Sequence, residues 1–192
     1  MHREYDLFRR VGEKSGQWLY SIIGLPEACD RLAKEAAQSL ESEVYVEHVR
    51  SNTIVARMNI PAQDLHKSIF FVGFGEPASA NVSASLTGMG YTVTVHRNNA
   101  TAKLVLELPQ SYKYFVLGNG PDEPRDDICR FIKRRFPGAS VLALNMRHES
   151  LAGADLNLPA ISIPGRWVAA LQGHSSAGSP LLAGSGKRTR RA

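Results

Sequence analysis

The phrase Gly73-Phe74-Gly75-Glu76-Pro77-Ala78 follows the apolar run Ile69-Phe70-Phe71-Val72 and satisfies G-x-G-x-x-A. At a strand-to-helix turn, that spacing can cradle a pyrophosphate on the backbone N–H groups of a helix N-terminus. A dinucleotide site also wants an acidic residue after the second strand to hold the ribose. Here that strand ends in His96-Arg97, which suits only a 2′-phosphate cofactor, and Pro77 removes one backbone donor. No catalytic tyrosine-lysine or cysteine pair and no substrate domain accompanies the motif. A nucleotide or NADP site built on Gly73, Gly75, Ala78 and Arg97 is therefore the second reading, after a plain turn.

Other residues with chemical potential are weaker. Glu76, Asp122, Glu123, Asp126 and Asp127 would hold a divalent cation only if loops gathered them. Asp126 and Asp127 equally suit the first turn of a helix ahead of Ile128, and Asp122-Glu123 a solvated loop, so no metal and no cofactor is expected. His48 and His66 have no second ligand at helical or strand spacing and are expected to be solvated. Cys29 and Cys129 stand a hundred positions apart without a CxxC, the pattern of two buried apolar thiols. Ser150 lies two residues from His148, but no G-x-S-x-G elbow surrounds it, so a hydrolase is unsupported. The row Arg130, Lys133, Arg134 and Arg135 alternates with Ile128, Phe131, Ile132 and Phe136, as a solvated helix face does, though it could meet an acidic partner.

The formal charge of +5 on 192 residues suggests an anionic partner until it is located. Arg166, Lys187, Arg188, Arg190 and Arg191 account for all of it, and residues 160–192 hold no Asp or Glu, so residues 1–159 sum to zero. Nucleic acid is therefore an improbable partner, with weak contact through Lys187, Arg188, Arg190 and Arg191 at most. Apolar runs such as Ser68–Val72 and Ser140–Leu144 are far too short to cross a bilayer, and the start Met1-His2-Arg3-Glu4 lacks a signal-peptide core. The expectation is a cytoplasmic protein without membrane contact.

The elements that position these residues fall into two groups. In residues 1–58, aromatic and β-branched runs at Tyr5–Val11 and Gln17–Ile23 read as a hairpin. A helix from Leu25 follows, with Ala28, Cys29, Leu32, Ala33, Ala36 and Leu40 on one stripe, then strands Glu43–Val49 and Thr53–Met58. This is a small ββαββ module. Residues 59–66 read as a linker, and residues 67–172 change character. Short, wholly apolar strands at 69–72, 91–96, 114–117 and 140–144 alternate with helices at 78–89, 99–108 and 125–136, and a last helix is expected around Trp167–Leu171. That alternation predicts a doubly wound, five-stranded parallel α/β sheet. Residues 173–192, rich in Gly and Ser, read as a flexible basic tail.

Residues 67–172 resemble the receiver domain of bacterial two-component response regulators. The likeness rests on the apolar first strand, Gly90-Tyr91 between the first helix and strand two, and the run Phe136-Pro137-Gly138-Ala139-Ser140-Val141-Leu142-Ala143-Leu144. It extends to Gly153-Ala154-Asp155 before a strand ending in Pro159. The resemblance implies a phosphoryl site on the carboxyl edge of the sheet, and its positions are altered here. The two metal-holding acids fall on Gly73 and Phe74, and the phosphoacceptor on Gly118 or, one residue along, Asn119. The hydroxyl residue falls on Asn145 and the lysine on Leu158. A neutral amide cannot form an acyl phosphate, the Phe74 ring cannot bind a hard cation, and Leu158 cannot donate as a lysine does.

The resemblance therefore implies a degenerate, or pseudo-, receiver. It would be a non-catalytic signalling and interaction protein in or beside a two-component phosphorelay, with a protein partner (histidine kinase, regulator or a second copy). The short segment His148–Ala154 and the Pro164-Gly165 interruption imply a reduced output face.

Overall fold

The computed structural model describes residues 4–10, 16–73, 76–118, 125–146 and 150–177. The first part comprises β1 (Tyr5–Arg10), β2 (Gln17–Ile22), α1 (Leu25–Gln38), β3 (Glu43–His48) and β4 (Thr53–Met58). Helix α1 starts where Gly24 takes a φ of 81° and Pro26 sits at the first turn, a position that needs no N–H donor. Leu25, Ala28, Cys29, Leu32 and Ala36 recur at three- and four-residue spacing along it, and all are buried. Strands β1 and β2 pair antiparallel, as do β1 with β3 and β3 with β4.

The second part alternates strand and helix: β5 (Ser68–Val72), α2 (Glu76–Gly88), β6 (Thr92–His96), α3 (Asn99–Leu106), β7 (Tyr114–Leu117), α4 (Arg125–Arg135), β8 (Ser140–Asn145), β9 (Leu156–Pro159) and α5 (Pro164–Ala177). Its strands are parallel, in the order β6-β5-β7-β8-β9. That order is two-one-three-four-five within this part, the flavodoxin-like doubly wound arrangement. Residues on β5, β7 and β8 are buried throughout because helices cover both faces. On one face α1, α3 and α4 pack with Phe70, Val72, Phe115, Leu117 and Val141. On the other, Leu86 of α2 and Trp167, Val168 and Leu171 of α5 pack with Ile69, Phe71, Val93 and Val116.

Both parts belong to one nine-stranded sheet, β2-β1-β3-β4-β6-β5-β7-β8-β9. The join is a parallel pairing of β4 with β6 at Ile54 and Thr94. Residues 59–66, expected as a linker, are tied down. The Asn59 Nδ2 group donates to the Ala36 and Ser39 carbonyls at the end of α1, and Ala62–Lys67 forms a 3-10 helix. The boundary marks a change of topology within a continuous sheet.

The end of the chain also needs correction. Pro164 does not interrupt the last helix but opens it, in the first turn where a missing N–H costs nothing, and α5 runs to Ala177. Residues 173–177, expected in the tail, are helical, and the basic residues Lys187, Arg188, Arg190 and Arg191 lie outside the described residues. Between β8 and β9, residues 150–155 are turn and coil. No described helix is long and apolar enough to cross a membrane.

Candidate functional site

The strand order brings the carboxyl ends of β5, β7, β8 and β9 side by side, because Val72 pairs with Leu117, Leu117 with Ala143, and Asn145 with Pro159. Gly73, Gly118 and Asn145, singled out from the sequence, therefore share one edge of the sheet, with Leu158 one residue back on β9. Phe74, Gly75, Asn119, Asp122 and Glu123 lie outside the described residues. Gly73 has a φ of 86°, a left-handed conformation that suits glycine, and its N–H donates to the His96 carbonyl at 2.9 Å. The first amide of the Gly73-Phe74-Gly75 turn is thus committed to the backbone, which removes one donor a pyrophosphate would need. Ala78 is exposed on α2, and Arg97 follows β6 on the far side of the β5 strand end from Gly118.

At the old hydroxyl position, the Asn145 side chain is buried and fully engaged. The Arg125 Nη1 group donates to its Oδ1 at 2.9 Å and to the Leu144 carbonyl at 2.8 Å. Its Nδ2 donates to Asn157 Oδ1 at 2.9 Å, and the same oxygen takes the Leu151 N–H at 2.8 Å. Gly118 is buried, and its N–H donates to the Val72 carbonyl at 2.8 Å. Leu158 packs against the α2 and α5 face. Among the described residues, this corner is knit together by the protein's own hydrogen bonds. Sequence reasoning missed Arg125, although a cation in the first turn of a helix, beside the positive end of its dipole, needs a partner to explain it.

Of the acidic residues singled out, Asp122 and Glu123 lie outside the described residues. Asp126 and Asp127 occupy the first turn of α4. Asp127 is bound by the Lys103 ammonium at 2.5 Å, and that hydrogen bond and charge lower its pKa. Lys133 of the basic row pairs with Asp155, and Arg135 donates to the Leu106 and Glu107 carbonyls at the end of α3. Much of that row is thus structural. No group of three metal-ligating side chains occurs among the described residues. Cys29 and Cys129 are both buried as free thiols, and burial pushes Cys29 up to about 11.

A separate concavity of about 180 Å³ opens at the seam between β4 and β6, lined by His48, Ser51, Thr53, His96, Arg97 and Thr101 among others. His48 is half-buried and hydrogen-bonded to Ser51 instead of solvated, whereas His66 is exposed as expected. His96 is buried and stacks on Phe70 with ring centroids 4.9 Å apart. Burial pushes its imidazole down to about 4, against a smaller opposing effect of a hydrogen bond with the Val55 backbone.

No family model and no curated protein matches this sequence. Solved structures do match it. The chain is similar to a CheY-like response regulator receiver domain protein from Methanospirillum hungatei, with a TM-score of 0.51 and 16% identity over 58% of this chain and 94% of that one. It is similar to the non-phosphorylated HemR receiver domain of Leptospira biflexa, with a TM-score of 0.50 and 19% identity over 59% and 98%. It is also similar to a structure of an adenylate cyclase from Rhodopirellula baltica, with a TM-score of 0.50 and 12% identity over 57% and 87%. At these identities the likeness establishes the fold, a receiver-like, flavodoxin-type α/β sheet over a little more than half of the chain.

Proposed function

We infer that this protein is a phosphorylation-incompetent receiver-like module, a non-catalytic interaction protein acting in or beside a bacterial two-component phosphorelay in the cytoplasm. The observation that carries this reading is the set of residues described at the carboxyl edge. An acyl phosphate needs a carboxylate at the end of β7, a cation beside it and donors aimed at the phosphoryl oxygens. Gly118 stands after β7, Gly73 after β5, and Asn145 after β8 spends its amide on Arg125 and Asn157. A receiver-like sheet without that chemistry retains its surfaces. Near β9, Met146, Ile161 and Ile163 expose 69%, 92% and 66% of their area, an apolar group suited to a protein partner or a second copy.

The test is incubation of the whole protein with acetyl phosphate, and separately with beryllofluoride, with and without Mg²⁺, read by intact mass and thermal shift. The expected result is no covalent adduct and no Mg²⁺-dependent shift. A stable, Mg²⁺-dependent adduct would show that another carboxylate, such as Asp122 or Asp126, has taken the nucleophile's place and would overturn the reading.

A further inference from the structure

The seam cleft lies on the far side of β5 from the Gly118 and Asn145 corner, and its origin is geometric. Strands β4 and β6 share one register position, Ile54 with Thr94, whereas β5 and β6 pair from Ser68 with Thr92 through Val72 with His96. Residues of the β3–β4 turn and of the β6–α3 turn line the gap at this seam. Its 180 Å³ far exceeds the ~10–15 Å³ that one ordered water requires.

Its lining has one chemical character. That holds for its polar part, which includes Arg97, two imidazoles (His48 and His96) and the hydroxyls of Ser51 and Thr53, with the Thr101 hydroxyl turned to Asn98; Tyr5, Leu25, Val55 and Val95 also line it, and no carboxylate is among the described residues there. The nearby Glu4 carboxylate is occupied by the Gly24 N–H at 2.9 Å. The hydroxyls form an adjustable chain: His48 Nδ1 meets Ser51 Oγ at 2.8 Å, and Ser51 Oγ meets Thr53 Oγ1 at 2.8 Å, where either oxygen can donate. Helix α3 starts at the cleft behind its Asn98 cap, adding the positive end of a helix dipole. Against this cationic, donor-rich wall stands one unmet acceptor. His96 lines the cleft, yet its Nε2 is buried with no hydrogen-bond partner among the described residues. Buried polar atoms of that kind are uncommon and call for a partner.

We propose that the seam cleft binds a small hydroxylated phosphate monoester, with the phosphoryl dianion held by Arg97 and the neighbouring hydroxyls and a ligand hydroxyl directed to His96 Nε2. A phosphoryl group accepts from several donors at once and pairs strongly with a guanidinium. The ligand hydroxyl supplies the donor that Nε2 lacks, which a bare anion cannot. This assignment does not rest on the signalling reading and uses no residue of the Gly118 corner.

The experiment titrates the whole protein at constant ionic strength with inorganic phosphate, ribose 5-phosphate and ribose, following backbone amide NMR signals. Saturable shifts are expected at Ser51, Asn98 and Thr101. Ribose 5-phosphate should bind tighter than phosphate, and ribose alone should not bind. Arg97→Gln should weaken ribose 5-phosphate roughly tenfold or more, the loss expected for a charged hydrogen bond. His96→Phe, which keeps a ring against Phe70, should remove the advantage of ribose 5-phosphate over phosphate. The folded spectra of both variants check that neither result is unfolding. Shifts that do not saturate, binding unchanged in Arg97→Gln, equal affinity for phosphate and its ester, or shifts centred on Gly118 and Asn145 would each overturn the assignment.

Discussion

Arg57 is the largest fully buried side chain of the seam, and removing it tests whether the two halves of the sheet are held as one. It lies on β4 with 1% of its area exposed. Its Nε donates to Glu43 Oε1 on β3 at 2.6 Å, and its Nη1 donates to Ser68 Oγ at the start of β5 at 2.9 Å. One guanidinium thereby links the antiparallel part to the parallel part. Truncating one member of a buried ion pair typically costs about 3–5 kcal/mol, because the other charge stays in a low-dielectric site without its partner. Two features place Arg57→Ala near the lower end of that range. Arg10 Nη1 still reaches Glu43 Oε2 at 3.1 Å, and Ser68 Oγ still donates to the Asp64 carbonyl.

The expected loss of about 3 kcal/mol corresponds to a fall in Tm of roughly 6–12 °C for a chain of this size. The double variant Arg57→Met/Glu43→Leu, which removes both charges, should recover most of it, since apolar replacements of buried pairs are often neutral or stabilising. Urea unfolding with tryptophan fluorescence is the assay, because the two tryptophans sit in different halves. Trp18 is on β2 and Trp167 on α5, so Trp18→Phe and Trp167→Phe each leave one reporter. Both reporters should show one coincident transition that moves together in Arg57→Ala. A cost below about 1 kcal/mol, a double variant no better than the single one, or two separated transitions would refute the reasoning.

His96 makes stability pH-dependent. Its folded imidazole is held at about 4 against 6.5, so the unfolded chain takes up the proton first. That contribution is full above about pH 6.5 and is lost as pH falls toward 4. By chemical denaturation, the protein should lose about 3 kcal/mol more than His96→Phe over that range, and equal slopes would refute it. Asn98 caps α3 by accepting the Thr101 N–H at 2.8 Å, so Asn98→Ala should cost about 1 kcal/mol in the same assay, and a neutral result would show the cap to be idle. Cys29 and Cys129 should resist a disulfide reagent in the folded protein and react together on unfolding, and fast labelling of either thiol in native buffer would contradict their burial.

Much of this arrangement is written locally. The three- and four-residue spacing of Ala28, Cys29, Leu32 and Ala36 shows α1, the wholly apolar Ile69–Val72 shows a strand covered on both faces, and Pro137-Gly138 shows where α4 must stop. Right-handed crossovers bring the carboxyl ends of β5, β7 and β8 together, and it is the resemblance to a receiver domain that singles out Gly73, Gly118 and Asn145 there. The β4–β6 pairing was not legible, because nothing in Thr53–Met58 names its neighbour. Nor does the sequence show that Arg57 and Glu43 are buried together beside that join. Pro164 carried two meanings, helix breaker and helix opener, and only the neighbouring geometry selects between them. Arg125 and His96 were missed for a shared reason. Each finds its surroundings across the sheet, 19 and 20 residues away for Arg125 and on β4 and β5 for His96.

The join explains why the unusual polar groups cluster where they do. In the order β6-β5-β7-β8-β9 taken alone, β6 would be an edge strand, open along one side. Adding β4 turns that edge into interior, and every polar side chain on it must then be met from within. Thr94 is met by the Tyr112 hydroxyl at 3.0 Å, and the strand start of β5 is met by Arg57 through Ser68. His96 is met on one side by the Val55 backbone and on the other by nothing but the cleft wall. A sheet extended only for stability would be expected to fill that position with an apolar residue, as it fills Val93 and Val95 on the opposite face. An imidazole retained there at a cost in stability, beside an arginine and a chain of hydroxyls, is what a binding site requires and what a mere junction does not.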